Sequence, residues 1–143
     1  MNVETILRNK CSWVATIRPD ASIAEAIEML NRERIGALVV SEDGDSVDGV
    51  LSERDIVIAL GGHGATLLSR PVDEIMTRNI VTCDPADTVQ DLMAEMTNRR
   101  FRHLPVVKGG RLCGIVSIGD LVKNRLDEVE FEANSLRSFI AGG

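Results

Sequence analysis

Two stretches of the chain repeat one another, and no other feature constrains the fold as much. Gly49-Val50-Leu51-Ser52-Glu53-Arg54-Asp55 returns as Gly114-Ile115-Val116-Ser117-Ile118-Gly119-Asp120, with the Gly, the Ser and the Asp at the same spacing. The match extends backwards. Pro19 pairs with Pro85, Ile27 with Met93, Arg34 with Arg100 and Leu38 with Leu104, each 66 positions apart. By Gly49 and Gly114 the offset is 65, so the second copy has lost one residue from a turn, 41–46 in the first copy against 108–111 in the second. Surface loops tolerate such changes. A duplication of this size predicts two pseudo-symmetric halves with a cleft between them. In a chain of 143 residues each half has roughly 60, too few to be more than marginally stable alone, so the halves should share a core.

Local pattern gives the elements. Ser22 and Glu25 form a capping box ahead of an apolar stripe, Ile23, Ala26, Ile27 and Leu30, which predicts a helix over residues 23–33. The apolar run 37–40 reads as a buried strand, with 49–51 as its hairpin partner across a Gly/Asp-rich turn. The second copy repeats this order: Thr88 caps the stripe Val89, Leu92, Met93 and Met96, and strands follow over 104–107 and 112–116. Extended stretches ending in proline, 14–19 and 80–85, precede the first helix of each copy, and a second helix begins near Ser52 and Ser117. The fold class is therefore α+β with α/β-type layers, two pseudo-symmetric βαββα repeats packed through their sheets. Gly-Gly-His-Gly at 61–64 should break the first of the later helices, 72–76 reads as a short connecting helix, and 3–7 has a similar look ahead of copy one. The final helix extends from Asp120 to Phe139, with Leu121, Val122, Leu126, Val129, Leu136, Phe139 and Ile140 apolar. Packing of its last turns on a partner subunit and on its own domain both remain open. The expected division is 1–70 for the N-terminal segment and first repeat, 71–128 for the second repeat and 129–143 for a helical extension.

Composition narrows the function. A formal net charge of −6 opposes general attraction to nucleic acid or anionic membrane, so an anionic ligand must be held by local positive charge. Cys11, Cys83 and Cys113 are odd in number and widely spaced, and with only His63 and His103 beside them they read as ordinary thiols of a reducing compartment, with no metal site. Neither a signal peptide nor an apolar span of about 20 residues is evident, which predicts a cytoplasmic protein without a membrane partner. Arg99-Arg100-Phe101-Arg102-His103 groups basic residues around an aromatic, as some nucleic-acid surfaces do, but the acidic balance, the absence of Tyr and the three Phe and one Trp oppose that reading. His103 has no evident nucleophile partner, Trp13 reads as a packing residue, and no catalytic constellation appears, so no enzyme is expected.

The repeated motif has a chemistry of its own. Its serine stands where a helix begins, and a helix N-terminus offers unpaired N–H groups and partial positive charge to a phosphate. An aspartate one turn later can accept hydrogen bonds from vicinal ribose hydroxyls. Phosphate and ribose together make a nucleotide. The competing reading is local: Ser-x-x-Asp is close to a capping box, in which both side chains only satisfy the helix's first N–H groups.

Taken in order, Gly-Val-Leu-Ser-Glu-Arg-Asp at 49–55, Val-Asp-Glu-Ile-Met-Thr at 72–77 and Arg-Phe-Arg-His-Leu-Pro-Val-Val at 100–107 resemble the paired cystathionine-β-synthase (CBS) domains, or Bateman module, in a small stand-alone form. The resemblance spans residues 3 to 122. It implies an adenosyl ligand (AMP, ADP, ATP, NAD(H) or S-adenosylmethionine) between the copies, no catalytic cofactor, a disc-like homodimer, and regulation of an unidentified protein in trans. It makes Asp55 and Asp120 the ribose carboxylates and Ser52 and Ser117 the phosphate-side hydroxyls. Adenine is expected against Ile35, Gly36 and Ala37 in one site and Phe101 and Arg102 in the other, with Thr16, Ile17, Thr82 and Cys83 closing the pocket and Ile115 of the second motif in the nucleotide-binding set. The copies differ in charge, since Arg54 matches Gly119 and Arg102 matches Gly36. Each site is therefore expected to own one phosphate-binding arginine, Arg54 beside Asp55 and Arg102 beside Asp120, against the reading of both as solvated surface residues. Two rivals are a scaffold of the same fold with empty clefts and a slow nucleotide hydrolase.

Overall fold

The computed structural model describes residues 2–9, 14–99 and 101–142, so the readings of Cys11, Trp13 and Arg100 lie outside the described residues. In chain order the elements are α1 (Val3–Asn9), β1 (Thr16–Ile17), α2 (Ile23–Glu33), β2 (Ala37–Val40), β3 (Gly49–Ser52), α3 (Glu53–His63), 3₁₀ segments at Gly64–Ser69 and Val72–Glu74, α4 (Val89–Arg99), β4 (His103–Lys108), β5 (Arg111–Ser117) and α5 (Ile118–Gly142). This is the expected α+β arrangement, with βαββα order in the first copy and αββα in the second.

Helix α2 starts where Ser22 accepts the Glu25 N–H at 3.2 Å and ends at Arg34, whose left-handed backbone (φ 54°) closes the last turn. Its stripe, Ile23, Ala26 and Leu30, covers Leu38, Val40 and Leu51 of a three-stranded sheet ordered β1-β2-β3. Strand β2 is buried at all four residues, as a central strand covered on both faces must be. The second half repeats the pattern, with Val89, Leu92 and Met96 over Leu104, Val106 and Val116 of the β4-β5 hairpin. The halves meet on the sheet side, where the Leu112 N–H of β5 donates to the Asp45 carbonyl at 2.8 Å and Gly36, just before β2, lies beside His103 at the start of β4.

One expected strand does not form. Residues 80–85 make only a single parallel bridge, Cys83 with Val106, whereas their counterparts form β1. Proline explains the difference. In copy one the Val39 N–H donates to the Ala15 carbonyl, and the equivalent of Val39 is Pro105, which has no N–H to give. The neighbouring rungs survive, Cys83 N–H to Pro105 O at 2.9 Å and Val107 N–H to Cys83 O at 2.8 Å. Helix α3 ends within the expected Gly-Gly-His-Gly run, where Gly64 takes φ +61°, and the expected short connecting helix is a 3₁₀ turn over Val72–Glu74.

The connecting segments cross between halves. Residues 72–76 pack into the first core through Val72 and Met76, held by Val72 N–H to Ala21 O at 2.7 Å and Asp73 N–H to Pro19 O at 3.0 Å. Helix α1 does the same for the second core. Val3, Ile6 and Leu7 are buried there, held by Val3 N–H to Asp87 O and Glu4 N–H to Pro85 O, both 3.0 Å. Ala21 and Asp87, and Pro19 and Pro85, are equivalent positions, so α1 is to copy two what 72–76 is to copy one. Grouping residues 1–70 as one unit follows chain order, whereas the packing places α1 with the second half.

The same exchange explains the motif glycines. A Cβ on Gly49 would lie 2.8 Å from both the Met76 Sδ and the Thr77 carbonyl oxygen, and one on Gly114 would lie 2.5 Å from a Leu7 methyl. Both glycines make room for a segment arriving from the other end of the repeat.

Helix α5 buries Leu121 and Asn124 against its own half, but the apolar residues from Leu126 onward are exposed. Packing on its own domain therefore accounts only for its first turns. Among the described residues no helix is long and apolar enough to cross a membrane.

Cys83 belongs to the second core, and burial, reinforced by Asp87, pushes its thiol up to about 12. The Cys113 thiol is raised too, by burial and by Asp84. A thiol raised in the folded state contributes stability below its unfolded range and loses it as pH climbs through the folded value. The native Cys11→Ser variant is accordingly expected to react only slowly with a thiol-specific reagent at neutral pH, and both remaining thiols should react fast once urea is added. Fast native reaction of two equivalents would contradict the burial.

Candidate functional site

Each half ties the start of its hairpin to the start of its second helix by one backbone bond. The Glu53 N–H donates to Gly36 O at 3.0 Å, and the Ile118 N–H donates to Arg102 O at 2.8 Å. This brings the strand-leading residues 35–37 and 101–103 close to the Ser-x-x-Asp turns.

Both turns are complete capping boxes. Asp55 Oδ2 accepts the Ser52 N–H at 2.9 Å and the Ser52 hydroxyl at 3.0 Å, while the Asp55 N–H donates to Ser52 Oγ at 3.2 Å. Asp120 accepts the Ser117 N–H at 2.9 Å and its own N–H donates to Ser117 Oγ at 3.1 Å. Asp55 has one further donor, the Thr77 hydroxyl at 3.2 Å from Oδ1. Thr77 is fixed in turn by a reciprocal backbone pair with Val50, at 3.0 and 2.9 Å. The capping role is thus fulfilled in both copies, and it leaves the Asp55 carboxylate held from two sides.

Ser52, Arg54 and Asp55 also line a cavity of about 560 Å³, within the usual range for small-molecule sites. Gly36, Phe101, Arg102 and His103 form part of its wall, along with Glu53, Thr77, Ile80 and Arg99. A second cavity of about 470 Å³ shares Ile80, Arg99 and Phe101 with it and extends over Asn79 and Val81, beside the strand that Pro105 cuts short.

The sequence-predicted residues divide accordingly. The structure brings Gly36, Ser52, Arg54, Asp55, Phe101 and Arg102 together around one cavity. It does not bring Thr16, Ile17, Ile35, Ala37, Thr82, Cys83, Ile115, Ser117 or Asp120 to that wall. Ile17 and Cys83 are buried in the two cores, and Ile35 packs against the first. Ala37 is buried in β2 and Thr82 is exposed. Ile115, Ser117 and Asp120 stand on β5 and the start of α5.

The two arginines were expected to serve separate sites, yet both line the same cavity. The physical reason is how the halves face each other: Gly36, just before β2, lies beside His103 at the start of β4, at ordinary van der Waals range. Copy two's strand entrance thereby faces copy one's helix entrance. Among the described residues neither the Arg54 nor the Arg102 side chain is engaged in an ion pair or hydrogen bond, whereas Arg99 pairs with Glu95 at 3.1 Å. Sequence reasoning missed Val50, Glu53, Thr77 and Ile80 as wall residues. Thr77 ends the 72–77 run, and that run's exchange between halves was the signal that could have placed it. Arg99 and His103 were noticed in the basic cluster but not assigned to this site.

The chemistry of the wall is specific. A helix N-terminus and two unengaged guanidinium groups suit a phosphate in an otherwise acidic chain. A carboxylate one turn in suits paired hydroxyls, and the Phe101 ring with the backbone near Gly36 suits a flat base.

Known proteins are similar to this chain in sequence and fold. The CBS-domain family model matches residues 14–62 and 72–127. The CBS-domain-containing protein ATU1752 from Agrobacterium tumefaciens is similar, with 47% identity, 87% of this chain and 99% of that chain covered, and a TM-score of 0.82. The CBS domain-containing protein YhcV of Bacillus subtilis is 35% identical over 116 residues, 79% of each chain. The CBS domain pair of protein MJ0100, solved in complex with 5′-methylthioadenosine and S-adenosyl-L-methionine, is 27% identical with a TM-score of 0.77, over 90% of this chain and 98% of that one. Two matches in tandem, one over residues 14–62 and one over 72–127, make the chain a member of the CBS-domain family.

Proposed function

We propose that this CBS pair is a regulatory module that binds an adenine nucleotide or related adenosyl compound in the cleft between its halves. It passes occupancy to a partner protein or to its own dimer. The observation that carries the reading is the convergence of Ser52 and Asp55 at the start of α3 with the unengaged Arg54 and Arg102 around one cavity of about 560 Å³. The MJ0100 complex supports it by analogy, since that related pair holds adenosyl compounds. Arginines at the phosphate end favour a phosphorylated ligand such as AMP, ADP, ATP or NAD(H) over S-adenosylmethionine, which is cationic at its sulfonium. In this reading the module binds its ligand without turning it over.

A thermal-shift series with AMP, ATP, NADH and S-adenosylmethionine tests this. A ligand present at 100 times its dissociation constant adds about 2.7 kcal/mol, which for a chain of this length is a rise of roughly 8 °C. The expected order places the phosphorylated ligands first. A flat response to all four would favour the scaffold reading, for which the completed capping boxes are the specific support.

A further inference from the structure

We infer that the exposed part of α5 is a parallel, in-register coiled-coil seam for a second copy of this chain. The helix packs on its own half through Leu121 and Asn124, and its other face is bare. Val122, Leu126, Val129, Leu136 and Ile140 are all exposed, and with Ala133 they recur at steps of four, three, four, three and four residues. That alternation is a heptad seam, with Leu126, Ala133 and Ile140 at a and Val122, Val129 and Leu136 at d. Leu121 and Asn124 fall at c and f, nearly opposite on the helix, so both faces can be occupied at once. A helix extending beyond its tertiary contacts is marginal in water, and a continuous apolar stripe on it marks an interaction surface.

The flanking charges choose the occupant and its direction. Arg125 and Glu132 stand at g, and Glu130 and Arg137 stand at e. In a parallel pair each g residue faces the e residue five positions on in the partner, which sets Arg125 against Glu130 and Glu132 against Arg137. Both contacts are between opposite charges, although Arg125 already pairs with Glu128 of its own helix at 3.2 Å. An antiparallel pair in the register that matches the same a and d layers sets Lys123 against Arg137, Glu130 against Glu130 and Glu132 against Glu132, all like charges. A lipid surface is disfavoured, since α5 carries Asp120, Asp127, Glu128, Glu130 and Glu132 against Lys123, Arg125 and Arg137. The seam lies beyond the nucleotide cavity, so it does not depend on the proposed ligand.

The test uses the full chain. Light scattering should give the mass of two chains. In a Cys11→Ser background, Leu136→Cys should form an interchain disulfide on mild oxidation, because equivalent d positions face one another, whereas Phe131→Cys at f should not. Leu136→Asp should weaken self-association about 100-fold or more while leaving the circular dichroism of the body and the nucleotide thermal shift unchanged. Glu132→Lys and Arg137→Glu should each weaken it, and the two together should restore it. A monomeric wild type, cross-linking at 131 equal to that at 136, or self-association unaffected by Leu136→Asp would overturn the inference. The cross-linking and charge-reversal arms do not require the Leu136→Asp protein to be recovered.

Discussion

Asp55→Ala is expected to lose nucleotide affinity by about 100-fold or more, measured by calorimetric titration of AMP or ATP. Two ribose hydroxyls donating to one charged acceptor are worth roughly 1.5–3 kcal/mol each, and each 1.4 kcal/mol is about tenfold. The substitution also removes a capping box, because Asp55 accepts the Ser52 N–H and hydroxyl. That part costs about 1 kcal/mol of stability. Asp120→Ala supplies the matched control, since it dismantles the equivalent box at Ser117 without touching the cavity wall. It should lose similar stability and keep the cavity's affinity. Equal affinity loss in both variants, or none in either, contradicts the assignment of the ribose to Asp55.

Gly49→Ala should destabilise the fold by about 2–3 kcal/mol, as overpacking of a closed core does, read as a lower urea midpoint with unchanged slope. The new methyl would meet the Thr77 carbonyl oxygen and the Met76 sulfur at 2.8 Å, and the carbonyl is fixed by its bond to the Val50 N–H. Backbone cannot step aside as a side chain can. Gly114→Ala meets only Leu7 side-chain carbons, which can rotate, so its cost should be smaller. The first variant carries a second consequence, because Thr77 also donates to Asp55. Any shift of residues 76–77 should weaken nucleotide binding along with stability, whereas Gly114→Ala should leave binding intact. Equal destabilisation by the two substitutions would count against this account of the glycines.

Much of this was legible in the chain because the determinants are local. The Ser22 cap, the stripes of α2 and α4, and the hairpin strands depend on residues within a few positions of one another, and the duplication let each copy check the other. What escaped was set by distance. The loss of a strand in copy two follows from Pro105 standing where Val39 stands in copy one, which becomes visible only when the donor's target, Ala15 O, is known. The gathering of Arg54 and Arg102 around one cavity reflects how the halves face each other across Gly36 and His103. Spacing along the chain carries no record of that. Reading by chain order assigns Arg54 and Arg102 to separate sites, whereas both line one cavity.

The exchanged segments also bear on how the chain is made. Residues 72–76 reach the first core soon after its strands and helices have been synthesised, so that half can close while the ribosome is still translating. The second half cannot close the same way. Its core needs Val3, Ile6 and Leu7, which are made before residues 83–121 and must wait for them. The contact of α1 with that core spans far more of the chain than the contact of 72–76 with the first, and contacts of long sequence separation slow folding.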